Sequence, residues 1–386
     1  MLALLFAARL GLGFHFQTMA SVGEGVAGSF GLDYAAIGLL IGLFMAPGLI
    51  LALPAGFSGR YASDRVLAGL GLGMLALGGL VSATALEPSG VGLGRLLSGA
   101  GFVFATLYFA KMIADWFEGH EIATAMSVLM MSWPLGIAIG QIGHAWLAEL
   151  HGWRVPFAVA SGYCALMAAA VLALYRGPHD RPGPQAARLT MLTPLEWVLI
   201  GIAGTAWGAF NSGYIVYLSF APTLLEAQGM SVMAAASVIS VGSWVMILSG
   251  VVWGRVMDRP RSRETILGLC MAGTVGSLLL LGLPGAGLAA SLIFGLLATA
   301  PAGYFMALAG QAVAPERRAF GMGVFYTIYF AFMAAIPPAA GWVFDWSGDP
   351  RGAIVFGAAL FIPVLPLAIL FRVIKTRARS FVPSDA

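Results

Sequence analysis

Long apolar runs, each interrupted by a few polar or turn-forming residues, repeat along the whole chain. A helix crossing the hydrocarbon of a bilayer takes about 20 mostly apolar residues. On that scale the pattern predicts twelve helices, near 2–24, 33–55, 66–86, 90–111, 122–146, 154–175, 195–219, 232–254, 265–283, 287–311, 320–342 and 352–373. The breaks carry turn chemistry, as in Glu87-Pro-Ser-Gly90 and Leu283-Pro-Gly-Ala-Gly287. The longest polar interval lies between the sixth and seventh runs, where a linker between two six-helix halves belongs. The expected organisation is a bundle over 1–175, a cytoplasmic linker over 176–194, a second bundle over 195–374 and a tail over 375–386.

Two short charged stretches sit at matching places in these halves. Gly56-Phe-Ser-Gly-Arg-Tyr-Ala-Ser-Asp-Arg65 follows the second run, and Gly254-Arg-Val-Met-Asp-Arg-Pro-Arg-Ser-Arg263 follows the eighth, 198 residues later. Gly31 and Gly229 are separated by the same 198 residues. A constant offset marks an internal duplication, and in a membrane protein two related halves are the plan of a transporter.

Composition agrees. The 386 residues are 60% hydrophobic and 10% charged, with mean hydropathy +0.90, against about 25% charged residues in a soluble domain. The first run has no basic segment ahead of it and is interrupted by Arg9 and His15, so it reads as a retained span and not as a leader. The sequence pI near 9.0 does not point to nucleic acid, because the basic residues are scattered over short loops. Cys164 and Cys270 lie inside apolar runs of different halves and read as small core residues. Sixteen of the twenty basic residues fall in the loops and tail on one side. Only Arg154 and Arg351 fall on the other, and Arg9 and Arg95 lie within spans. The bias places both termini in the cytoplasm and the protein in the cytoplasmic (inner) membrane.

The charged loops also carry a resemblance. Gly254, Asp258 and Arg259, followed by Arg261 and Arg263, match the Gly-x-x-x-Asp-Arg loop of the major facilitator superfamily. The first copy keeps Gly56, Arg60 and Arg65, with Gly59 in the acidic position. Arg95, Gly99 and Gly101 repeat that superfamily's span-four pattern, and Trp133-Pro-Leu-Gly136 its proline-glycine stretch. Within the superfamily the chain is most similar to the cyanate-permease-like branch, through "LGFHFQTMASVG", "AKMIADWFEGHEIATAM" and "WGAFNSGYIVYLSFAPTLL". Phe16 stands where cyanate permease carries an arginine. The resemblance implies an all-α fold of two pseudo-symmetric six-helix bundles and transport by alternating access.

Charged and polar residues inside spans are expensive and mark function. On a helical wheel of about 100° per residue, Arg9, Gln17 and Glu24 form one polar stripe of the first span. Arg9 and Gln17 are candidates for binding a small anionic or polar solute; for Arg9 the bland alternative is a side chain reaching the cytoplasmic surface. In the seventh span Trp207, Asn211 and Tyr214 share a face and offer a hydrogen-bonding wall, or equally helix–helix bonds. Tyr304 and Tyr326 are further cavity candidates, with Tyr329 on the same face as Tyr326. His144 and Arg95, with Glu24 as a partner for Arg95, are the candidate charge or proton relay. Arg60, Arg65, Asp115, Asp258 and Arg259 are candidate latches at the cytoplasmic side, and Lys111 and Asp115 are spaced for an i,i+4 ion pair.

No phosphate-binding Gly-rich loop and no metal-ligand spacing occurs, so neither an ATPase nor a cofactor is expected. No acidic residue falls at mid-span, so coupling to protons would have to run through Glu24 or a histidine; a proton gradient or simple exchange is the expected driving force. The expected protein is a monomeric secondary carrier embedded in lipid, moving a small solute. An exporter of amphipathic drug-like compounds is the alternative. A membrane enzyme or a receptor is disfavoured, for want of clustered histidines and acids or of a soluble domain.

Overall fold

In the computed structural model the described residues are 1–117, 122–177, 191–257, 263–314 and 317–380. Their regular structure is all helical. The first half contains α1 (Leu2–Phe30), α2 (Tyr34–Gly42), α3 (Gly48–Phe57), α4 (Asp64–Ala83), α5 (Pro88–Trp116), α6 (Ile122–His151) and α7 (Arg154–Leu174). The second contains α8 (Pro194–Ala227), α9 (Val232–Met257), α10 (Arg263–Leu281), α11 (Gly287–Leu297), α12 (Pro301–Ala312), α13 (Arg318–Ser347), α14 (Pro350–Ala359) and α15 (Val364–Ser380). Ten spans are long and apolar enough to cross a membrane on length and composition alone. The other two of the twelve are the α2–α3 pair and the 34-residue α8, whose apolar course is diluted by Asn211, Ser212 and Ser219.

Several helices outrun the apolar windows that predict them, as α1, α5, α6, α8 and α13 do. Alpha-8 begins with a capping box, in which Thr193 accepts from the Glu196 N–H and the Glu196 carboxylate accepts from the Thr193 N–H. Glu196 also accepts from the Ala314 N–H at 2.9 Å and from Arg317 at 3.0 Å, which ties the start of α8 to the segment after α12. Three spans are broken instead of continuous, and each resumes at or just after a proline: Pro47 before α3, Pro301 opening α12, and Pro363 before α15. Proline supplies no N–H and its ring collides with the preceding turn, so the ladder stops there.

Small residues bring backbones together within each half. A Cβ on Gly13 of α1 would run into the Trp133 carbonyl of α6, and one on Gly136 into the Leu10 carbonyl. This close packing replaces the hydrophobic drive that is missing between helices in lipid.

The halves meet along α2–α13, α3–α13, α6–α9 and α1–α8. We call the face where α1 starts and α15 ends the proximal face, and the other the distal face. The distal ends of α2 and α13 pack backbone to backbone, since Cβ atoms on Gly38, Gly42 and Gly341 would collide with Pro337, Ala334 and Tyr34. Alpha-6 and α9 are joined by Ser240 donating to the Ala138 carbonyl at 3.0 Å and Ser243 donating to Gln141 Oε1 at 2.9 Å. At the proximal face the ion pairs are of another kind. Lys111 pairs with Asp64 at 2.5 Å and Asp115 at 3.5 Å within the first half, and Arg317–Glu196 and Arg372–Glu264 lie within the second. Among the described residues the halves are joined by hydrogen bonds and close backbone packing toward the distal face, and α3 also meets α13 nearer the proximal face, where a Cβ on Gly323 would run into Leu53.

Candidate functional site

Arg9 does not reach the surface. Its side chain is buried, and Nη1 donates to the Leu129 carbonyl at 2.9 Å and to Ser132 Oγ at 3.1 Å on α6. The other edge of the guanidinium is different: Nε has no partner, and Nη2 meets only the Met130 sulfur at 3.5 Å. Among the described residues no carboxylate pairs with Arg9. A buried cation without a counter-charge is expensive, and the Nε–Nη2 edge, which meets no oxygen among the described residues, is one that a carboxylate engages with two parallel hydrogen bonds.

The surroundings are aromatic and come from both halves. Phe16 and Phe102 lie 5.4 and 5.1 Å from the Trp133 ring, and Phe102 reaches Phe330 of α13 at 6.5 Å. The series continues through Tyr329 at 5.1 Å to Tyr326 at 6.2 Å and Trp207 at 6.4 Å. Tyr326 and Tyr329 are both within electrostatic reach of Arg9. Tyr329 shares the face of Tyr326 and lies beside it, with ring centroids 6.2 Å apart. Phe102 and Phe330 were invisible as site residues in the sequence, because an isolated phenylalanine in a span is the commonest kind of core residue.

Farther toward the distal face, Gln17 and Gln141 are both buried, and each leaves one amide atom unsatisfied. Gln17 Nε2 donates to Ser21 at 3.1 Å while Oε1 is unpartnered; Gln141 accepts from Ser243 while Nε2 is unpartnered. Tyr214 is buried and its hydroxyl has no hydrogen-bond partner among the described residues. Asn211 turns Nδ2 back onto the Trp207 carbonyl at 2.8 Å, so this donor serves its own helix. Tyr304 is buried on α12 and is influenced by Arg263, with no contact to the Arg9 group among the described residues.

The expected pairing of Glu24 with Arg95 is not found. Glu24 is exposed at the distal face and accepts from the Tyr34 hydroxyl at 2.8 Å and from Thr223 at 3.3 Å. Arg95 is wholly buried, with Nε donating to the Leu40 carbonyl at 3.1 Å and its guanidinium 4.6 Å above the Phe44 ring. The break after α2 explains this. The Phe44 N–H turns to the Ile41 carbonyl, so the Leu40 carbonyl needs another donor, and Arg95 supplies it. His144 is fully buried in the α1–α6 seam, with Nε2 2.8 Å from the Phe14 carbonyl and 3.2 Å from Thr18 Oγ1. Asp115 pairs with Lys111 of its own helix, and Arg65 sits in the first turn of α4. Asp258 and Arg259, and the side chain of Arg60, lie outside the described residues.

A twelve-span bundle of two halves around a buried polar centre defines a membrane transporter. The family profile described as Major Facilitator Superfamily matches residues 1–307, and the chain belongs to that superfamily. Among curated relatives it is similar to a gallate transporter of Pseudomonas putida, 24% identical over 95% of this chain and 86% of the relative. Among solved structures it is similar to a bacterial homologue of the human lysosomal transporter Spinster in an inward-facing, occupied conformation. That match has a TM-score of 0.77 at 17% identity, covering 100% of this chain and 98% of the other. The nucleoside transporter NupG matches with a TM-score of 0.72 at 15% identity, covering 98% of each chain.

Proposed function

We propose that this carrier moves a small organic anion, with aromatic monocarboxylates as the first class, by rocking two bundles, 1–175 and 195–374, about the Arg9 centre. The Nε–Nη2 edge of Arg9 carries this reading: a buried guanidinium whose Nε is unpartnered, and which pairs with no carboxylate among the described residues, is completed by an anionic substrate. The ring series supplies flat apolar surface beside that charge, which suits an aromatic acid. Gln17, Trp207, Asn211, Tyr214, Tyr304 and Tyr326 are the proposed companions of Arg9 in the substrate path. The gallate transporter relative supports the class, since gallate is a trihydroxybenzoate anion. The similarity to the cyanate-permease-like branch points the same way, toward a small anion. Arg95 and His144 are proposed to hold the fold around the centre, with a proton gradient or exchange driving transport.

The bias of basic residues supports a proximal face in the cytoplasm of the inner membrane, and the hydrogen bonds and backbone packing that join the halves toward the distal face support reading this as the inward-facing state of a carrier proposed to be monomeric. Arg60, Arg65, Asp115, Asp258 and Arg259 are proposed to join the halves at the proximal face when the carrier turns outward.

The test is a thermal-shift series on the purified carrier in detergent, with benzoate, gallate, acetate and an amphipathic cationic drug. A ligand that binds the folded state raises its stability by mass action, about 2.7 kcal/mol at a hundredfold excess over Kd. Benzoate and gallate are expected to stabilise, acetate weakly and the drug not at all. Stabilisation by the drug alone would replace this reading with an exporter of amphipathic compounds, which the aromatic centre also favours.

A further inference from the structure

At the distal seam a carboxylate of one half caps a helix of the other. Asp345, near the end of α13, accepts from the backbone N–H of Tyr34 at 3.0 Å through Oδ1 and of Ala35 at 2.7 Å through Oδ2. These are the first two N–H groups of α2, which have no partner inside their own helix. The third, on Ala36, is taken by the helix's own N-cap, Asp33, at 2.8 Å. Without Asp345 the α2 terminus is half capped. The charge also suits the place, since a helix N-terminus favours an anion.

The contact does not stand alone. The Tyr34 ring stacks on Phe344 with centroids 3.8 Å apart and planes 11° apart. Its hydroxyl donates to Glu24 of α1, which also accepts from Thr223 of α8. Tyr34 therefore touches both halves through its backbone, its ring and its hydroxyl. The alternatives in the molecule are weaker. The amides Gln17 and Gln141 belong to the substrate path already described, and the stacked, exposed Trp342–Trp346 pair has no partner whose chemistry the structure shows.

We infer that Asp345 is the releasable latch of the distal gate: a trans cap on α2 that forms only when the halves close there. Every bond it makes crosses the seam, so separating the halves breaks both at once and hands the Tyr34 and Ala35 amides to water. The latch biases the carrier toward the distally closed state and leaves the substrate centre untouched. This inference assumes the alternating-access part of the proposed function but not the nature of the substrate.

The experiment is double electron–electron resonance on the full carrier without substrate. One spin-label pair sits on exposed distal loops, Glu87→Cys and Leu283→Cys, and the other on exposed proximal positions, Tyr61→Cys and Arg318→Cys. Cys164 and Cys270 are buried and give little background. Asp345→Ala is expected to raise the population with separated distal labels about tenfold, as for the loss of a helix cap, while the proximal labels approach each other. Asp345→Asn keeps one acceptor and falls between. A purely local role would fray α2 without moving the proximal pair, and that result overturns the latch. Should Asp345→Ala fold poorly, Glu24→Gln is measured in its place and is expected to give a smaller shift of the same sign. Wild type that samples both states, with variants that do not differ from it, refutes the latch alone. Distances that never change in any variant refute alternating access itself.

Discussion

Replacing Arg9 by glutamine is expected to lower benzoate binding and uptake about a hundredfold, which corresponds to about 2.7 kcal/mol. The loss follows from geometry. Glutamine is shorter, is uncharged and lacks the paired donors that meet both oxygens of a carboxylate. Arg9→Lys keeps the charge as a point donor and is expected to fall between the two. The stability of the empty carrier is expected to move the opposite way or not at all. Arg9 is buried with no carboxylate among the described residues, so its removal relieves a desolvation penalty while giving up bonds to the Leu129 carbonyl and Ser132. Isothermal binding and thermal unfolding on the same preparations separate these effects. Normal benzoate affinity in Arg9→Gln would sink the anion site, whereas a large fall in the unfolding temperature would make Arg9 a structural residue.

What the sequence revealed of this arrangement depended on whether a property was local. Membrane spans need only length and apolarity, so the twelve runs and their division into halves could be read directly. The polar stripe of α1 was drawn on a wheel, which orders residues around one helix. A wheel says nothing of depth or of what another helix presents, and the Glu24–Arg95 pairing failed there. Both residues were placed on the right side, but the α2 break frees the Leu40 carbonyl beside Arg95, and Tyr34 claims Glu24. The breaks at Pro47, Pro301 and Pro363 had visible residues behind them, yet Pro54, Pro134 and Pro222 lie inside helices that continue. Neighbouring helices re-satisfy the freed groups, and no single sequence shows where that happens. Asp345 stood in a loop-like Asp-Trp-Ser-Gly-Asp stretch with nothing to mark it, because its partners are more than 300 residues away in the chain.

Two glycine substitutions of the same chemistry are expected to fail in different ways, and the difference separates folding from gating. Gly13→Val forces a side chain into the α6 backbone at Trp133, within one half. Neither backbone can retreat without opening the bundle, so overpacking of about 1–3 kcal/mol should lower the unfolding temperature. Gly38→Val puts the same group against the Pro337 carbonyl and Pro338 of the other half. Here the strain has an exit, because the halves can part at the distal face while each bundle stays packed. Gly38→Val is therefore expected to unfold within a few degrees of the wild type, to lose uptake about tenfold or more, and to show distal labels held apart. Benzoate binding to the detergent-purified variant should survive, because the Arg9 contacts with α6 are made within the first half. A Gly38→Val carrier that unfolds as early as Gly13→Val would mean that the α2–α13 seam is part of the permanent core, and the distal face would then not be the one that opens.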